Sequence, residues 1–155
     1  MPHPRGATRH PETSKIDSRT APYAATLLRA SLGVMFIAHA LLKLFVFTLP
    51  GTAQFFASVG FPGWTAYLVF AAELAGGALL VLGVRTRAVA LALVPVLIGA
   101  LYVHAGNGWL FTAKGGGWEY PLFLIAATLV QALLGDGAYA LRAGRTSPRR
   151  AAVPA

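Results

Sequence analysis

Cysteine is absent from the 155 residues. Disulfides, thiolate redox relays and cysteine-ligated zinc or iron–sulfur centres are therefore excluded within this chain. Charge is scarce too: 12% of residues are Asp, Glu, Lys or Arg and 56% are hydrophobic, where a soluble domain carries about 25% and about 45–50%. Acidic residues are rarest, five against thirteen Lys and Arg, for a net charge of +8. Basic chains often bind nucleic acid, but here the basic residues flank apolar runs and do not interleave with aromatics across a groove. They read as topology determinants with some attraction for anionic lipid headgroups, and no nucleic-acid partner is expected. Alternating segments of about ten residues, the mark of a transmembrane β-barrel, are missing as well.

What is present is a series of apolar runs. Tyr23 to Phe47 reads as a first span, stopped by Pro50-Gly51. Thr52 to Gly63 is an uncharged connection in which Phe55 and Phe56 suit an interfacial amphipathic turn. Trp64 to Leu82 is the second span with Gly83 as its C-cap, Ala88 to His104 the third with Pro95 inside it, and Tyr120 to Leu134 the fourth. Gly106 to Gly117 reads as a flexible loop. Spans three and four are short against the roughly 20 residues that cross the hydrocarbon core, and Trp109, Trp118 and Tyr120 suit an aromatic belt that completes them. The expected fold is an all-α membrane protein, an antiparallel four-helix transmembrane bundle over residues 22–141. Disordered basic tails are expected at 1–21 and 142–155. No apolar region precedes the first span, so the N-terminal stretch is not expected to act as a cleavable signal peptide.

Lys and Arg placement sets the expected orientation. Arg5, Arg9, Lys15 and Arg19, then Arg85 and Arg87, then Arg142, Arg145, Arg149 and Arg150 all fall on one side of a four-span arrangement, against Lys114 on the other. The positive-inside bias puts both termini in the cytoplasm of a multi-pass cell inner-membrane protein.

Glu73 interrupts the second apolar run at its centre. A carboxylate at that depth costs several kcal/mol unless it is paired or protonated, which makes it a functional-site hypothesis. Between Thr20 and Gly135 the other charged residues are Arg29, Lys43, Arg85, Arg87, Lys114 and Glu119, with His39 and His104 as titratable neutrals. Arg29, Phe36, His39 and Lys43 share a stripe at roughly 100° per residue. In four antiparallel spans His39, Lys43, Glu73, His104 and Glu119 can converge in the outer half. A Lys43–Glu73 or Arg29–Glu73 pair would offset desolvation. Imidazoles beside carboxylates could hold a quinone head group, relay protons, or ligate a metal or haem, with haem the weaker alternative. Plainer readings stand beside these. Arg29 and Lys43 can snorkel, His104 can be interfacial, Glu119 before Pro121 can complement a helix dipole, and Glu73 can be a structural ion pair. The small residues Ala75-Gly76-Gly77-Ala78 would let a partner helix approach closely.

Taken in order, Arg29 with Gly33, His39-Ala40-Leu41-Leu42-Lys43, Phe55-Phe56 with Gly60-Phe61-Pro62, Glu73-Leu74-Ala75-Gly76-Gly77 running to Leu82-Gly83 and Arg87, His104, and Gly135-Asp136-Gly137 form a recognisable set. The set resembles the DoxX family of small four-helix membrane proteins, over about Tyr23 to Leu141. The resemblance implies a membrane component of redox systems. Some members are linked to thiosulfate:quinone oxidoreduction, others associate with superoxide dismutase and a sulfurtransferase, and animal relatives act as chaperones or trafficking factors. Ala40 stands where the family often has glycine, and Arg142 where an acidic residue often closes the motif.

The leading expectation is a subunit of a quinone-linked redox or oxidative-stress complex. Glu73, His39 and Lys43 would be its proton relay or quinone site, and Arg29, His104 and Glu119 its cofactor-binding residues. A soluble or membrane redox protein would be its partner, with homo-oligomerisation left open and no metal expected. Whether the chain is itself catalytic stays open. The alternative is a non-catalytic assembly or chaperone subunit whose cluster is a structural ion-pair network. A small proton-coupled transporter is a third reading, disfavoured by the lack of a clear inverted repeat.

Overall fold

A computed structural model describes residues 17–141. The expected tails lie mostly outside that range, 1–16 and 142–155, and so does the departure at Arg142. Every regular element among the described residues is a helix, with no strand. α1 spans Ala21–Leu41 and continues as a π-helical turn, Leu42–Val46; α2 is Leu49–Ser58, α3 Thr65–Leu82, α4 Thr86–His104 and α5 Glu119–Leu134. Three stretches are long and apolar enough to cross a membrane: Ala21–Val46 with mean hydropathy 1.7, Thr65–Leu82 with 1.8 and Thr86–Asn107 with 2.2. α5 is apolar but has 16 residues, about 24 Å at 1.5 Å per residue against a core of about 30 Å.

Local chemistry sets the boundaries. Thr48, at φ 59°, accepts the Gly51 N–H on its hydroxyl at 3.2 Å and starts α2, with Pro50 in the first turn. The expected connection between spans one and two is thus partly helical. Gly83 at φ 75° closes α3, and the amides of Gly83 and Val84 both reach the Leu79 carbonyl. α4 begins two residues earlier than expected, at Thr86, because Asp136 accepts the Thr86 N–H at 3.2 Å from the far end of α5. It then runs unbroken through Pro95.

α1 packs on α3, α3 on α4, α4 on α5, and α5 back on α1. Pairings along α1 and α3 run in opposite directions: Arg29 meets Gly83, Gly33 meets Gly77 and Val81, and Lys43 meets Glu73. A Cβ on Gly33 would lie 2.7 Å from the Gly77 carbonyl oxygen, and one on Gly77 would lie 2.8 Å from that of Gly33. Only glycine at both positions allows these backbones to touch, the small-residue contact that lipid-embedded helices favour. Gly76 does the same for α4, where a Cβ would lie 2.9 Å from Leu93.

The interior is layered. Leu32, Phe36, Leu80, Ala90, Leu93, Leu97 and Leu124 form the apolar centre. Lys43 and Glu73 lie toward one end of it, and Arg29, Thr86, Thr128 and Gln131 toward the other. Large apolar side chains such as Leu27, Phe45 and Leu133 point outward, as expected when lipid rather than water surrounds the helices.

Candidate functional site

The seam between α1 and α3 carries the ion pair. Glu73 projects from the middle of α3 and is 6% exposed, one turn before the Gly77 contact that brings α1 close. Lys43 Nζ donates to both carboxylate oxygens, at 2.7 and 2.9 Å. Among the described residues it is the one salt bridge. Two-oxygen coordination by a part-buried ammonium is the arrangement that offsets desolvation of both ions.

Lys43 sits in the π-helical turn, where the Phe47 amide bonds the Leu42 carbonyl five residues back, at 3.0 Å. Such turns widen a helix locally and recur at functional sites. Lys43 Nζ also lies 3.5 Å from the His39 carbonyl. His39 Nδ1 is 2.9 Å from the Met35 carbonyl. A carbonyl can only accept, so Nδ1 is the donor in this contact. The His39 ring stacks on Tyr120, centroids 6.1 Å apart and planes at 22°.

Tyr120 leads to a surface groove of about 520 Å³ lined by Trp109, Phe111, Glu119, Tyr120, Leu122 and Phe123. Part of its aromatic wall comes from the stretch expected as a flexible loop, Gly106 to Gly117, which is closed by bonds at its two ends. Trp118 and Glu119 amides donate to the Gly108 and Trp109 carbonyls at 3.1 Å, and Trp109 and Trp118 pack edge to face at 4.5 Å. Glu119 Oε1 accepts the Phe111 amide at 2.8 Å.

The expected convergence is therefore redistributed. Lys43 and Glu73 meet directly; Lys43 reaches His39 only at its backbone carbonyl, while the His39 ring stacks on Tyr120. Glu119 lines the groove next to Tyr120. His104 bonds the Gly115 and Gly116 carbonyls through Nδ1, at 3.0 and 3.1 Å, and pins the loop. Arg29 is not the counter-ion of Glu73: it lies fourteen positions before Lys43, roughly 21 Å along the helix, and bonds the Ala138 carbonyl at 3.5 Å instead. Tyr120, which the sequence marks only as an interfacial aromatic, joins the site through its contact with His39. Thr86, Thr128 and Gln131 are buried polar residues on apolar helices. They carry the same signal that singles out Glu73, in weaker, uncharged form.

Comparison with known proteins agrees with the resemblance. A protein of Bacillus subtilis (strain 168) named "Putative oxidoreductase CatD" is 36% identical over 115 residues, covering 74% of this chain and 81% of that protein. No solved structure matches the chain. The DoxX family model matches residues 24–106, which hold the Gly33–Gly77 contact, the π-helical turn and both members of the ion pair, and the chain belongs to the DoxX family.

Proposed function

We propose that this membrane protein is a subunit of a quinone-linked redox or oxidative-stress complex, with the Lys43–Glu73 pair as its proton-handling site. The carrying observation is a carboxylate buried on an apolar helix and held by both oxygens to one part-buried lysine. An ion pair can pass between charged and neutral forms by moving one proton, and in low dielectric small changes nearby shift that balance. The name of the Bacillus relative, "Putative oxidoreductase CatD", points the same way.

The groove beside the pair suits a flat, lipid-soluble ring. Trp109, Phe111, Tyr120 and Phe123 offer faces and edges for stacking, and Glu119 with the Tyr120 hydroxyl offers polar contacts at its rim. In this reading a quinone is the substrate, Tyr120 and His39 connect the groove to Lys43, and Glu73 holds the proton. The chain has no thiol, so a partner redox protein exchanges the electrons. Four spans with both termini in the cytoplasm complete the reading, α5 being extended at the interface by Trp109 and Trp118.

One observation favours a second reading. Glu73 lies a single helical turn from Gly77, so the pair also clamps the closest backbone contact between α1 and α3. In a non-catalytic assembly or chaperone subunit the clamp would be its whole role. Binding of a short-chain quinone to purified protein, followed by quenching of Trp109 and Trp118, separates the two. The redox reading requires saturable quenching that Tyr120→Leu weakens about ten-fold, whereas quenching that is absent or indifferent to Tyr120→Leu favours the clamp alone.

A further inference from the structure

The end of the helix cluster remote from Glu73 holds a second buried polar layer. Arg29 is 2% exposed, and Thr86, Thr128 and Gln131 are fully buried. Arg29 Nε and Nη1, the Thr86 and Thr128 hydroxyls and Gln131 Oε1 have no hydrogen-bond partner among the described residues. The exit segment after α5 borders this layer. The Ala138 carbonyl accepts from Arg29 Nη2 at 3.5 Å and from Thr26 at 2.6 Å, Gly135 accepts the Gln131 amide at 2.7 Å, and Asp136 takes the Thr86 N–H. Thr128 lies one turn deeper on the face of Gln131.

Orphan donors and acceptors inside a protein mark bound water or a bound ligand. Charge decides between them. A buried guanidinium is always protonated, and no carboxylate of the described residues lies within 4.0 Å of it. Asp136 is committed to the Thr86 amide. Arg85 and Arg87 are exposed at the same end, Arg87 against Gly135 and the Leu133 carbonyl. Arg85 and Arg87 are solvated at the surface, but Arg29 is buried with no counter-ion among the described residues, and bound water would leave its charge uncompensated. The Arg29–Ala138 bond, at the outer limit of hydrogen-bond length, gives way readily to charge-assisted bonds from an anion.

We propose that Arg29, with Thr86, Thr128 and Gln131, forms an internal site for one phosphate-type oxyanion, reached beneath the 135–138 segment, with Arg85 and Arg87 at its mouth. The free N–H groups on Arg29 Nε and Nη1 and the two threonine hydroxyls would donate to it, and the Gln131 oxygen would accept from a protonated phosphate oxygen. The source is either free phosphate or the head of an anionic phospholipid. Both present the same group.

The full chain in nanodiscs tests this. Thermal unfolding is followed in phosphatidylcholine alone, with millimolar inorganic phosphate added, and with phosphatidylglycerol substituted for part of the lipid. The site predicts a saturable rise in Tm in at least one of the last two. Response to phosphate alone identifies the free ion, and response to phosphatidylglycerol at zero phosphate identifies the headgroup. Arg29→Gln weakens the response about ten-fold or more. Gln131→Glu, which supplies a fixed carboxylate in the same layer, raises Tm without phosphate and abolishes the response. If wild type responds to neither source, or if Arg29→Gln and Gln131→Glu both respond as wild type does, the layer holds water and the proposal is wrong.

Discussion

Glu73 and Lys43 each depend on the other to be charged where they are. Removing one partner of a buried pair leaves a lone ion and typically costs 3–5 kcal/mol; with Lys43 16% exposed on its side chain, the lower end applies. Glu73→Gln is therefore expected to destabilise by about 3 kcal/mol, and adding Lys43→Met to recover most of that, measured by thermal unfolding in detergent. Arg29→Met, by contrast, should leave the Glu73 site untouched because the two lie at opposite ends. The sequence shows Glu73 as anomalous and Lys43 as a partner at compatible spacing. It cannot choose between Lys43 and Arg29, because both lie on one stripe of α1. Antiparallel register makes the choice: Gly83, at the end of α3, meets Arg29, and Glu73 meets Lys43.

At the scale of elements, the α1–α3 seam is a glycine contact first and an ion pair second. Gly77→Val is expected to cost several kcal/mol and to push α1 outward, since its side chain would enter the Gly33 carbonyl and Ile37. Circular dichroism melts against the milder Gly99→Ala, where a Cβ meets open space, check it. Thr48→Ala removes the α2 cap and is expected to cost about 1 kcal/mol, read as lower α2 protection in hydrogen exchange. The apolar runs and Gly83 were legible because length, hydropathy and turn chemistry are local. α2 was legible only as an uncharged stretch with aromatics, and the π-helical turn not at all, since no local residue preference marks one. The bonded course of residues 108–119 also escapes the sequence, because it depends on pairings such as Trp118 to Gly108 and His104 to Gly116 that glycine-rich composition conceals.

For the whole molecule, the layered interior carries a consequence for membrane placement. A span of apolar side chains, from Leu32 to Leu124, separates the Glu73 end from the Arg29 end, so a site at one end exchanges protons and ligands with one face. Because the chain lacks cysteine, single-cysteine variants report sidedness without background. Four spans with cytoplasmic termini predict that Lys114→Cys reacts with an impermeant maleimide in intact cells and that Arg87→Cys reacts only after permeabilisation. Equal reactivity of both from outside would contradict the topology. That orientation is the expectation from Lys and Arg placement, and the 16 residues of α5 are short for a full crossing.

The central claim is that the Lys43–Glu73 pair handles protons for a quinone and does more than hold two helices together. The Glu73→Gln, Lys43→Met double variant tests it most directly, since its stability is expected to approach that of wild type while its charge is gone. Quinol-dependent electron transfer to the co-purified partner is the measurement, made on membranes with wild type and variant at matched protein levels. The account predicts a loss of about ten-fold or more in the double variant. Transfer at the wild-type rate would show that the pair is only a clamp.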